Sequence, residues 1–127
     1  MSIDFQVDAG LVEMTFHDKV TAEDIWRAVY LLCDLESRSE VTADRVSNLS
    51  RADFGPFSAD QLRKLANARK DAPLRNRVKS AIIAPKPDQF GLARKFQMHN
   101  ANPSMEIRIF KDSASAYEWI GRPGKTA

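Results

Sequence analysis

Apolar and polar residues alternate with a period of two near the start of the chain. Ile3, Phe5 and Val7 alternate with Asp4, Gln6 and Asp8, and Val12, Met14 and Phe16 alternate with Glu13, Thr15 and His17. Asp8, Ala9 and Gly10 stand between the two runs, with glycine free to take positive φ. The pattern predicts a β-hairpin with one apolar and one polar face. At Thr21 the period changes. Thr21 and Asp24 form a capping box with aspartate in place of glutamate, and Ala22, Ile25, Trp26, Val29, Leu32 and Cys33 then share one helical face. This helix is expected to reach about Glu36, and residues 37–40 read as a loop.

Arg45, Val46, Ser47, Asn48 and Leu49 form a short, weakly apolar strand. Residues 50–57 read as a loop, because they contain Gly55 and Pro56 flanked by Phe54 and Phe57. Ser58 and Gln61 make a full capping box, and Leu62, Leu65, Ala66 and Arg69 mark one face of the helix that follows. Residues 71–77 contain Pro73 and form a connection. Ala81, Ile82, Ile83 and Ala84 are a continuous apolar run with a β-branched centre, the signature of a strand buried on both faces. Pro85 and Pro87 end it, and Pro87 with Asp88 suits a helix start, followed by Leu92, Ala93 and Phe96 at helical spacing. Met105, Ile107 and Ile109 alternate with Glu106 and Arg108. Asp112 or Ser113 caps a last helix anchored by Ala116, Tyr117, Trp119 and Ile120, which Gly121 and Pro123 close.

The order is β-β-α-β-α-β-α-β-α. It predicts an α/β fold with a mixed, mostly parallel five-stranded sheet, an N-terminal hairpin and four helices, the crossovers being right-handed. Residues 1–121 are expected to form a single domain and residues 122–127 a frayed tail.

Composition narrows the function classes. The 127 residues are 43% hydrophobic and 28% charged, as in ordinary soluble domains. No run of apolar residues is long enough for a membrane span, and no secretory leader is visible, so a cytoplasmic protein is expected. The net charge is +2, but residues 1–62 carry five basic and twelve acidic side chains, whereas residues 63–95 carry ten basic and two acidic. This asymmetry suits an acidic partner, nucleic acid or a homodimer that pairs acidic and basic halves, but opposite charges facing each other within one fold account for it more simply. No nucleic-acid module signature accompanies the basic residues.

Candidate chemistry is sparse. His17 and His99 have no carboxylate or second histidine at metal-ligand spacing, and no cofactor motif is present. Cys33, on the apolar face of its helix, reads as a buried structural thiol, and Trp26 and Trp119 as covers of the sheet. Ser58 is an N-cap; a phosphate on it would face helix N–H groups, so it is also a candidate phosphorylation site. Gly91 lies in the first turn of a helix, where glycine costs about 1 kcal/mol against alanine. It serves either tight packing or the close approach of a ligand, and Lys86 and Arg94 on either side could hold an anion there. Phe54 and Phe57 sit in a loop at the carboxyl end of a strand, where open α/β sheets bind ligands and partners.

Phe90, Gly91, Leu92, Ala93, Arg94, Lys95 and Phe96 after the buried strand resemble the SpoIIAA-like group of the STAS superfamily, a fold related to CRAL-TRIO lipid-binding proteins. The closing segments 107–112 and 116–120 and the opening hairpin with residues 20–24 are similar to it as well. The resemblance implies a sheet wound as a βα superhelix and a binding or regulatory role without catalysis. It places Ser58 nearest the serine phosphorylated in the anti-anti-sigma branch, although Gly55, Pro56 and Phe57 before it depart from that branch's motif. Asn48 stands where such families often place an aspartate.

The expected function is a non-catalytic protein-interaction module. Its partner- or ligand-binding set is Asn48, Ser50, Phe54, Phe57, Ser58, Lys86, Gly91 and Arg94. The alternative is a carrier of a small lipophilic or anionic ligand between helices and sheet, with Trp26, Tyr30 and Phe96 lining the cleft. A hydrolase or transferase lacks any recognisable nucleophile–base pair.

Overall fold

The computed structural model describes residues 2–8, 10–55, 59–70, 72–100 and 102–121. The elements are β1 (Ile3–Asp8), β2 (Leu11–Lys19), α1 (Ala22–Arg38), β3 (Asp44–Asp53), α2 (Ala59–Lys70), β4 (Val78–Ile83), α3 (Pro87–His99), β5 (Met105–Phe110) and α4 (Ser113–Ile120). The strands lie in the order β1-β2-β3-β4-β5; β1 and β2 are antiparallel and the remaining pairs are parallel. Sequential order with right-handed crossovers carries α1, α2 and α3 to one face. The chain then turns back, and α4 covers the other.

The core is divided accordingly. On the three-helix face Ile25, Ala28, Leu32 and Ala93 bury against Met14, Phe16, Leu49 and Ile82. On the other face Ala116 and Ile120 of α4 bury against Leu11, Val46, Ala81 and Ile83. β4 serves both clusters, which is why its sequence is a continuous apolar run.

Local chemistry fixes the ends. Thr21 Oγ1 accepts from the Asp24 N–H, and Asp24 Oδ2 accepts from the Thr21 N–H, a complete capping box. These bonds hold the Asp24 carboxyl below its usual range. Asp112 caps α4 by accepting from the Ser115 N–H at 2.7 Å, which lowers its pKa in the same way. Gly121 closes α4 in the left-handed region, at φ 86°. Gln89 is fully buried; its Nε2 donates to the Ala52 carbonyl and its Oε1 accepts from the Lys86 N–H, so the start of α3 is pinned to the end of β3. Asn102 Nδ2 donates to the carbonyls of Arg69 and Ala72, satisfying the C-terminal end of α2.

Three expectations differ from the structure. β3 is ten residues long and takes in residues 50–53, which read as loop. The reason is a bulge: Thr15 pairs with Asn48 but His17 with Arg51, so two steps of β2 oppose three of β3. Asn48 Oδ1 accepts from both the N–H and the hydroxyl of Ser50 there, supporting the extra residue. The bulge moves the inward position from Leu49 to Ala52, which breaks the period-two pattern. Second, α1 runs to Arg38, and Cys33 is exposed. The buried stripe runs through Ile25, Val29, Leu32 and Glu36, leaving Cys33 at its margin. Third, Trp26 is only half-buried and stands outside both core clusters, whereas Trp119 packs on the sheet beside Phe110, ring centroids 5.7 Å apart. The expected tail lies outside the described residues. No described helix is long and apolar enough to cross a membrane.

Candidate functional site

Between the three-helix layer and the sheet lies a cavity of about 130 Å³. Its floor is Met14 and Phe16 of β2, Ser47 and Leu49 of β3, and Ile82 of β4. Ala28, Val29 and Leu32 of α1, Leu62 and Leu65 of α2, and Leu92 and Phe96 of α3 form its roof. The walls are almost wholly apolar. A second cleft, of about 310 Å³, adjoins it at the carboxyl ends of the strands, and both are partly open to the surface. Phe54, Leu62 and Leu92 line both; Gly55, Asp88, Gly91 and Lys95 complete the outer cleft.

The opposite end of the cavity, at the amino ends of the parallel strands, is charged. Arg45 of β3 and Arg69 of α2 line it. Both converge on Glu36 Oε2: Arg69 Nη2 donates to it at 2.7 Å, and Arg45 Nη1 lies 2.9 Å away. The side chains are 4%, 4% and 7% exposed for Arg45, Arg69 and Glu36, so this is a buried cluster with two cations and one anion. Arg69 Nη1 also contacts Cys33 Sγ at 3.4 Å. Arg45 Nη2 donates to the Ala43 carbonyl, but its Nε and Nη1 have no hydrogen-bond partner among the described residues, because the approach to Glu36 is not aligned as a hydrogen bond. Burial pushes the Arg45 guanidinium below its ordinary range; Glu36 opposes that shift and Arg69 adds to it. Arg45, Ser47 and Leu49 share the cavity face by strand alternation, and Ser80, a cavity residue of β4, is the register partner of Arg45.

The expected site residues separate into groups. Phe54 and Gly91 meet in the outer cleft, and the Phe54 ring packs near Phe16, centroids 6.3 Å apart. A Cβ built on Gly91 would meet nothing within 4 Å, so the tight-packing reading of this glycine does not hold. Lys86 precedes α3 with an exposed side chain, and Arg94 turns along the helix to Gln97 Oε1 at 2.9 Å instead of towards the helix start. Asn48 and Ser50 serve the bulge; Asn48 is the register partner of Ile83, which faces α4, so the pair stands on the far side of the sheet from the cavity. Phe57 and Ser58 lie outside the described residues. Of the residues expected to line a carrier's cleft, Phe96 does, whereas Tyr30 is 72% exposed and Trp26 is not part of the wall.

Glu36, Arg45 and Arg69 were not among the expected site residues. Their signal was present: Glu36 continues the buried stripe of α1, and Arg69 continues Leu62 and Ala66 on α2. A charge on an apolar stripe is unusual, because burying it unpaired is expensive. No group of three or more histidine, cysteine or acidic side chains among the described residues could hold a metal ion.

No protein-family model matches the sequence, and no curated protein matches it. Among solved structures it is similar to an uncharacterized DUF3478-family protein with a SpoIIAA-like fold from Shewanella loihica PV-4. The TM-score is 0.60 at 18% identity, over 92% of this chain and 90% of that one. At that identity the likeness concerns architecture. With its mixed five-stranded sheet, three helices on one face and one on the other, this chain has the SpoIIAA-like fold.

Proposed function

We propose that this protein is a non-catalytic binding protein and that its ligand is small and lipophilic, held between α1, α2, α3 and the sheet. The observation that carries this reading is the partly open apolar cavity of about 130 Å³ beneath the helices, continuous in its lining with a second cleft through Phe54, Leu62 and Leu92. Core packing normally leaves few voids larger than a water molecule. Apolar cavities of about 150 Å³ stay dry and accept molecules the size of benzene. Among the described residues the lining is almost wholly apolar, which suits retention of a lipophilic ligand. Native mass spectrometry of freshly purified protein tests the proposal, together with uptake of a hydrophobic fluorescent probe. Bound mass, or saturable uptake abolished by Ala28→Leu in the cavity roof, supports it. A clean ligand-free signal with no saturable uptake overturns it.

A regulatory, protein-binding role is the second reading, favoured by the outer rim. Phe90 is exposed beside Lys86 and Gly91, and Phe54 stands at the same edge. A partner seated there would cover the cleft. Capture of a partner that is lost on Phe54→Ala or Phe90→Ala supports this reading, and unchanged capture removes it from this edge.

A further inference from the structure

We propose that the ligand is an amphiphile with a single carboxylate, seated head-inward on Arg45 with its hydrocarbon tail towards Phe54. This rests on the cavity reading above and specifies its chemistry.

Two observations independent of the cavity's size carry it. The first is the state of Arg45. Its side chain is 96% buried, being 4% exposed, yet Nε and Nη1 lack hydrogen-bond partners among the described residues. Buried charged N–H groups are rarely left so, because the unmade bond is costly. Arg45 lines the cavity, so an oxygen entering there is within its reach. The second is charge. Glu36 neutralises one of the two guanidiniums and pairs best with Arg69, at 2.7 Å with a hydrogen bond. Arg45 is the surplus cation. Asp44, next to it, alternates to the opposite face of β3 and accepts from the Lys79 N–H, and its charge is the weakest of those acting on Arg45.

One positive charge in excess matches one monoanion. A phosphate monoester, carrying more negative charge at neutral pH, would bring an unmatched charge among buried, mostly apolar walls. The hydroxyl side chains of Ser47 and Ser80 line the same end and offer further donors to a carboxylate. Towards the strands' carboxyl ends the described cavity residues are apolar, which suits a tail. A cavity of about 130 Å³ has room for roughly a benzene-sized group, so a longer chain extends past Phe54 and Leu92 into the outer cleft.

The test uses the full chain and three probes of one chain length: octanoate, 1-octanol and octyl phosphate, titrated by calorimetry at neutral pH. A charge-assisted hydrogen bond is worth about ten- to a hundredfold in affinity. Octanoate is therefore expected to bind at least tenfold more tightly than octanol and than octyl phosphate. Arg45→Met should remove the octanoate advantage while leaving octanol binding within about threefold, and Arg45→Lys should restore part of it. The wild-type comparison stands even where a variant folds poorly. Octanol binding as well as octanoate, or octanoate binding unchanged in Arg45→Met, overturns the head-group assignment and leaves the apolar site standing. Octyl phosphate binding best overturns the carboxylate. Binding of none of the three overturns the assignment together with the cavity reading.

Discussion

Replacing Arg45 by methionine separates a binding role from a structural one, because the two give opposite signs of stability change. Removing one partner of a buried ion pair ordinarily costs about 3–5 kcal/mol, since the other charge is left uncompensated. Here the removed group is a surplus. Glu36 keeps its 2.7 Å bond from Arg69, and the remaining pair is neutral. What is lost with Arg45 is a buried ion pair to Glu36 at 2.9 Å, not aligned as a hydrogen bond, and one bond to the Ala43 carbonyl. What is relieved is the burial of a guanidinium with unpartnered N–H groups, about 1–3 kcal/mol, and its repulsion from Arg69. Methionine also adds apolar contact in an apolar cavity. The ligand-free variant should therefore be more stable than the wild type by about 1–3 kcal/mol. Near Tm this is a rise of roughly 4 °C for each kcal/mol in a domain of this size. Urea denaturation with an unchanged slope, alongside a thermal scan, measures it. A loss of stability of about 1 kcal/mol or more would refute the reasoning, because Arg45 would then be holding the fold together.

Four further outcomes follow from the same geometry. Glu36→Gln leaves two buried guanidiniums without their counter-ion and should cost about 3–5 kcal/mol in urea denaturation; a cost below about 1 kcal/mol would mean that water reaches the cluster. Gln89→Leu strands the Ala52 carbonyl and the Lys86 N–H and should cost about 1–3 kcal/mol for each group left buried, with amide exchange at the start of α3 accelerating. Gly91→Ala should stabilise the free protein by about 1 kcal/mol, since the helix gains alanine's propensity and the added methyl meets nothing within 4 Å; destabilisation would show a clash the structure lacks. Burial, and then the hydrogen bond to Glu13 Oε2 at 2.7 Å, raises the Tyr117 pKa above its ordinary value. The folded state thus holds this proton more tightly than the unfolded chain. Its contribution is complete below about pH 10 and is lost as pH rises towards the folded pKa, so Tyr117→Phe should flatten the alkaline fall in Tm and remove the late phase of a tyrosinate absorbance titration.

Much of the architecture was legible because its causes are local. The capping box at Thr21, the proline start of α3 and the glycine end of α4 are short-range chemistry, and the strand buried on both faces announces itself as an unbroken apolar run. The expected mixed sheet and four helices match the structure. β3 was misjudged because a bulge interrupts its alternation, and nothing near Asn48 marks the pairing with β2 that sustains residues 50–53. The site was less legible. Phe54 and Gly91, singled out from their place at strand and helix ends, both line the outer cleft. The buried charge cluster joins Glu36, Arg45 and Arg69 from three elements, and only tertiary packing shows that they meet. Asn48 and Ser50, expected on a partner surface, hydrogen-bond to each other across the bulge, a contact that only the pairing with β2 reveals.

Whether the chamber under the three helices is a binding site is answered most directly by methyl NMR of the full chain during an octanoate titration. The account predicts saturable shifts at Leu49, Leu62, Ile82 and Leu92, which line the cavity, with the exposed Val7 and Val41 unmoved. Shifts confined to the surface, or cavity methyl signals that stay in place at saturating octanoate, would contradict it.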